Sequence, residues 1–324
     1  MNRVHLLGIG ACLTLIGLII ALGPYSHPGM FLPDQGTHWY YWKLPEPTLG
    51  GRVSAWLLYL GHQLAIWWLI ARFRAQPPGP GGGMQPLNWV ALGVNALFIA
   101  LHVLQTRVFY DGLAQDTSVM ASQGSVVLLL VMVLLFENQR RGMFFGHRLN
   151  WLQRPGAFLR QYHGYYFAWA IIYTFWFHPI EDNAGHLLGL FYTFLILFQG
   201  SLARTRYHSN RWWTVTLECF VAVHGAMVAY LTLSAGTWRM FFFGFLALFV
   251  VTQMHGLGLQ RRWLLLLAAL YLGAVALLFR GEGTGFLVVL RIPMVEYGLV
   301  LLMGLLIFAG LGLYRRLARN SAGA

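Results

Sequence analysis

Residues 161–186 read QYHGYYFAWAIIYTFWFHPIEDNAGH, an aromatic apolar run that stops at His178-Pro179 and restarts after the polar turn Glu181-Asp182-Asn183. Proline ends a helix because it lacks an N–H and clashes with the preceding turn, and Asp or Asn can cap the next one. The stretch therefore reads as two apolar helices joined by a tight acidic turn. The same pattern recurs along the chain as apolar runs of about 20 residues, each long enough to cross roughly 30 Å of hydrocarbon.

Composition agrees with this pattern. Of 324 residues 58% are hydrophobic and 10% charged, whereas about a quarter of a soluble domain is charged. The expected fold is an all-α polytopic transmembrane helix bundle of about ten spans, near 4–23, 53–72, 88–106, 118–136, 162–178, 184–203, 212–233, 238–257, 263–279 and 293–314. Residues 1–324 are expected to form a single integral membrane domain. The PPGPGGG run at 77–83 cannot hold regular structure, which makes 73–87 a flexible cytoplasmic linker. Residues 24–52, with His27, His38 and the block Trp39-Tyr40-Tyr41-Trp42, suit an outer loop lying on the membrane interface. The run at 6–22 is longer than the apolar core of a signal peptide and lacks a good cleavage site, so it reads as a retained first span. Cys12 and Cys219 both sit in apolar runs and suggest neither a disulfide framework nor a cysteine metal site.

The net charge of +12 would suggest nucleic acid in a soluble protein. Here most of the 22 Lys and Arg fall on alternate connections, including Arg72, Arg74, Arg140, Arg141, Arg204, Arg206, Arg211, Arg261 and Arg262, together with the two termini. That asymmetry is expected of cytoplasmic loops. Both termini are therefore expected in the cytoplasm of a bacterial inner membrane, with membrane lipids rather than nucleic acid as partner. Asp34, Asp111, Asp116, Glu181 and Asp182 then fall on the outer side, with Asp116 a candidate cap for the fourth helix.

The third span carries Asn88, Asn95, His102 and Gln105, spaced so that all four lie along one helical face. Polar side chains in hydrocarbon are unfavourable without partners, so this stripe should meet other helices or a wet cavity. His102 approaches the end of the bundle that carries His178, Asp182, His186 and Asp111. His163 and His178 lie about 22 Å apart along one helix and cannot share a metal. Glu218 and His224 in the seventh span, and His62 in the second, are ionisable groups at membrane depth, where such groups mark function by default.

These residues point first to a membrane-embedded enzyme acting on a lipid-like or otherwise hydrophobic small-molecule substrate. Its candidate catalytic residues are His102, His163, His178, His186, His224, Asp111, Asp182 and Glu218, because buried imidazoles can donate or accept protons near neutral pH. His102, His178 and His186 are candidate ligands for a transition metal such as iron or zinc. The alternatives are a redox protein holding b-type haem between His62 and His224, and a transporter or membrane assembly subunit in which the third-span stripe lines a polar path.

Overall fold

The computed structural model describes residues 2–23, 31–33, 35–36, 38–77, 79–232 and 236–322; His27 and Asp34 of the loop at 24–52 lie outside them. Among the described residues the chain is all-helical. Its helices are α1 (Arg3–Leu22), α2 (Leu49–Ala75), α3 (Pro86–Phe109), α4 (Val119–Arg141), α5 (Gln153–Phe177), α6 (Ala184–Ser201), α7 (Arg211–Thr232), α8 (Thr237–Val251), α9 (Arg261–Leu278) and α10 (Arg291–Ala322). One helix forms at each of the ten places expected from the sequence, and eight are long and apolar enough to cross a membrane. The exceptions have simple causes. The first turns of α5 carry Arg154 and Arg160, and α8 has only 15 residues.

The chain gathers into two compact units. The first comprises 1–126, 164–220 and 231–233, and the second 127–163, 221–230 and 234–324, so that α4, α5 and α7 contribute residues to both.

In the first unit the helix starts are fixed by side chains that satisfy the orphan N–H groups of the first turn. Asn2 accepts from the His5 N–H, Thr48 from Gly51 and Asn183 from His186. Before α4, Ser118 takes the Met120 N–H, while Asp116 is committed elsewhere: it pairs with Arg52 and accepts from the Trp56 indole. Proline at the start of α3 costs no hydrogen bond, because that N–H would be unsatisfied anyway. The end of α2 is closed by Arg204, whose guanidinium donates to the carbonyls of Phe73, Arg74 and Gln76. The glycine-rich connection after α2 is held as well. It forms a short 3-10 turn at Pro80–Gly82, and the Gly82 carbonyl accepts from the Arg206 N–H.

The α3 stripe is the spine of this unit. Asn88 donates to the carbonyls of Ser201 and Ala203, and Asn95 donates to the Ser201 hydroxyl. The Trp176 indole N–H donates to His62 Nδ1, so Nε2 carries the ring proton and donates to Asn95 Oδ1 at 2.9 Å. His62 is fully buried and stacks on Phe98. The chain of donors runs one way, from Trp176 through His62 and Asn95 to Ser201 and the Leu197 carbonyl, and Trp176 can only donate.

In the second unit α8 packs on α9, on α10 and on the 3-10 segment Gly283–Leu290 around Phe243, Val275, Phe279 and Val289. The segment after α4 is tied down by Asn138, which donates to the Leu149 carbonyl and accepts from the Leu149 N–H. Leu152, three residues on, is fully buried and fills the space beside Gly304 of α10. Glu137 pairs with Arg140. Thr252 and Tyr297 share a hydrogen bond of 2.6 Å, which ties the end of α8 to α10. Replacing Asn138 by Ala strands both backbone groups of Leu149. The expected cost is about 1–3 kcal/mol, seen as a lower thermal midpoint of the detergent-purified protein; an unchanged midpoint would contradict this role.

Candidate functional site

The first unit has two ends, and the candidate site lies at the one formed by the C-termini of α1, α3 and α5 and the N-termini of α2, α4 and α6. Pro179 has no N–H to continue α5, and Asn183 starts α6. The turn between them is seated by Thr106 of α3, whose hydroxyl accepts from the Ile180 N–H. Gly112 fits against it because a Cβ there would lie 2.6 Å from the Phe177 carbonyl oxygen. His178, Glu181 and His186 are thus held on a rigid corner.

Around that corner the segment at 38–43 contributes an aromatic wall. Tyr40 Oη lies 2.8 Å from His186 Nε2, and Asn183 Nδ2 lies 2.7 Å from His186 Nδ1. The direction of these bonds follows from Asn183. Its oxygen is fixed by the backbone N–H of His186 that it accepts, so its NH2 group faces the imidazole and Nδ1 must accept. The ring proton therefore sits on Nε2 and is donated to Tyr40 Oη. The phenolic proton of Tyr40 is left to another acceptor.

The rings of His178, Tyr40, Phe177 and Trp42 surround this array. His178 lies 5.0 Å from Tyr40 and 5.5 Å from His186, and Trp42 stands edge-on to His186 at 5.3 Å. Next to it, Tyr110 donates to Glu181 Oε1, and both residues are buried. Tyr110 is the cap of α3 and sits in the left-handed region, with φ 45° and ψ 56°. A bulky residue pays for that conformation in strain of roughly 1–3 kcal/mol, and here the strain turns the phenol toward Glu181. Burial pushes the Tyr110 phenol up, with the Glu181 hydrogen bond and charge adding to it. Burial and the Glu181 charge do the same to Tyr40. Both phenols therefore keep their protons at neutral pH, and Tyr110 donates its own to Glu181.

Asp111 follows Tyr110 and is also buried, at 2% exposure. One carboxylate oxygen accepts from the Gly112 N–H, and the other lies against Gly51 in the first turn of α2. Burial pushes its carboxyl up to about 6, with the Asp116 charge adding to the rise, while Gly112, Gln115 and Arg52 oppose it. Asp182 is exposed and packs against Gly23 at the end of α1.

The remaining candidates lie apart from this array or are already committed. His102 is fully buried beneath it, its Nε2 donating to the carbonyls of His178 and Phe175 at 2.9 and 3.2 Å while the Gln105 amide lies 3.2 Å from Nδ1. His102 thus supports the corner through the backbone of His178. A metal held by His102, His178 and His186 does not fit this arrangement, and among the described residues no three His, Cys, Asp or Glu side chains converge to hold an ion. His62 has both ring nitrogens engaged and offers none to haem iron, and His224 belongs to the second unit. His163, also in the second unit, is bonded to the Arg160 carbonyl through Nδ1 and packs on Phe136. Glu218 lies in α7 beside Tyr192, whose hydroxyl donates to the Leu217 carbonyl.

Of the residues singled out in the sequence, His178 and His186 come together at this corner, whereas Asp182 lies exposed beside it; Glu181, Tyr40, Tyr110 and the role of Asn183 were not among the candidates. Tyr40 lay in an aromatic block that suits an interface equally well, and Asn183 was legible only as a cap. No family model, curated protein or solved structure matches the chain, so the site stands on its own geometry.

Asp111 supplies a test of this electrostatic picture. A carboxyl whose folded pKa lies above its unfolded value is destabilised where it ionises. Its penalty is absent below about pH 4, grows as pH rises toward 6, and is complete above that, at up to about 3 kcal/mol. Asp111→Asn is expected to raise the thermal midpoint above pH 6 and to remove this part of the pH dependence. Equal midpoints for the two proteins across pH 4–8 would contradict the burial assigned to this carboxyl.

Proposed function

We propose that the protein is a membrane-embedded enzyme that performs acid–base chemistry on a lipid-like or otherwise hydrophobic substrate at the corner between α5 and α6. The observation that carries the reading is the Asn183–His186–Tyr40 array. A side-chain amide fixes the imidazole tautomer, and the imidazole N–H stabilises the oxygen that a phenol would expose on giving up its proton. Such an arrangement makes Tyr40 a general acid whose conjugate phenolate is supported by His186. Glu181, hydrogen-bonded to Tyr110, is the carboxylate that takes up a proton from the substrate. Aromatic rings on the site and exposed apolar residues on the helices suit a substrate whose body stays in lipid while its polar end enters the corner.

The distribution of charge supports an orientation with this end facing away from the cytoplasm, both termini inside, and all ten helices crossing the membrane. The setting is then a bacterial inner membrane. The one-way hydrogen-bond chain through His62 and Asn95 favours an enzyme over a transporter, because Asn88, Asn95 and His62 are filled by neighbouring helices rather than left to line a path.

The experiment compares the lipid extracts of cells lacking the protein, cells expressing it, and cells expressing His186→Ala, Tyr40→Phe or Glu181→Gln, each inserted at equal level. The wild type is expected to shift at least one lipid-soluble species relative to cells lacking it, and each variant to lose about 10²-fold or more of that conversion. Full conversion by all three variants, or no shifted species with the wild type, would overturn the reading.

A further inference from the structure

We propose that the opposite end of the first unit is a binding surface for the headgroups of anionic phospholipids. This inference does not rest on the enzymatic reading, since it concerns different residues at the other end of the helices. That end is built from the N-termini of α1, α3 and α7 and the C-termini of α2 and α6. It carries Arg3, Arg72, Arg74, Arg204, Arg206 and Arg211, all of them exposed. No Asp or Glu occurs in 1–33, 47–110 or 183–217, the stretches that supply this end. The local charge is therefore positive and has no carboxylate of its own to balance it.

Two features make this more than a scatter of arginines. The backbone beneath it is fixed. Arg204 clamps the last carbonyls of α2, the Arg206 N–H bonds Gly82, His5 Nε2 bonds the Tyr207 carbonyl at 3.1 Å, and the His5 ring stacks on Trp213. The arginines are also laid along aromatic rings: Arg72 over Trp68, Arg74 over Tyr165 and Arg206 over Tyr207. Guanidinium groups spread on aromatic faces keep their outer N–H donors directed to a phosphodiester. Below them Trp68, Trp89 and Trp212 are 57%, 63% and 44% exposed, as rings at the headgroup boundary are. Charge complementarity then selects a lipid with net negative charge, because a zwitterionic headgroup brings its own cation to the same place.

The test uses the whole purified protein in mixed detergent micelles containing equal amounts of phosphatidylglycerol and phosphatidylcholine with the same acyl chains. Retained lipid is counted by mass spectrometry. The proposal expects at least tenfold preference for phosphatidylglycerol, falling to near parity in 0.5 M salt and in the variant Arg72→Gln/Arg206→Gln/Arg211→Gln. Arg204 is left intact because it closes α2, and Lys43→Gln at the other end should keep the wild-type preference. Parity in the wild type would overturn the proposal, as would equal loss in the Lys43 variant or full retention in the triple variant. If the triple variant fails to fold, the salt dependence and the three single variants decide by the same criterion. Inorganic phosphate at millimolar concentration should not displace the lipid, and displacement would show a phosphate site instead.

Discussion

Hydrocarbon offers no hydrogen bonds, so every polar group carried into it must find its partner within the protein. This constraint organises the first unit. Asn88, Asn95, His62 and His102 are each buried at less than a tenth exposure and each is matched to a carbonyl, a hydroxyl or an amide on another helix. The bonds join α2, α3, α5 and α6 at successive depths, which fixes how these helices sit against one another within the unit. Asn88, Asn95 and His102 of the stripe that looks like a path in the sequence are, in three dimensions, ties between helices, while Gln105 bonds His102 on its own helix.

The same constraint separates support from chemistry. His102 and His62 are spent: their ring nitrogens face groups that the fold supplies. His186 is different. Its tautomer is set by Asn183, yet its proton is directed to a phenol rather than to a backbone carbonyl, and that phenol lies on a connecting segment rather than on a helix. Tyr110 is held in a left-handed conformation to reach Glu181. Directed donors, a buried carboxylate and local backbone strain coincide at one corner, which is where such features are expected to cluster when a site has work to do.

The helices were legible because long apolar runs leave little choice: each of the ten expected spans has its helix, with ends displaced by up to nine residues, as at the start of α5. The sequence could not show which polar residues tie helices together and which meet a connecting segment. Asn95 lies inside an apolar helix and Asn183 at a helix start, yet only their partners show that one ties helices together and the other fixes the tautomer of an imidazole. Pairing of His62 with Trp176, across 114 positions, leaves no trace in spacing. Tyr40 joins His186 across 146 positions for the same reason. The division of contacts into two units was equally hidden, since α4, α5 and α7 run through it without a break in pattern.

The direction of the Asn183–His186–Tyr40 bonds sets what this corner can do. Nitrogen-15 NMR of the histidine-labelled protein in lipid, with His186 assigned by its loss in His186→Gln, reads the protonation of each ring nitrogen directly. At neutral pH Nε2 of His186 is expected to carry the proton and Nδ1 not, and Asn183→Ala is expected to weaken this preference. A proton on Nδ1 in the wild type, or a tautomer indifferent to Asn183, would contradict it.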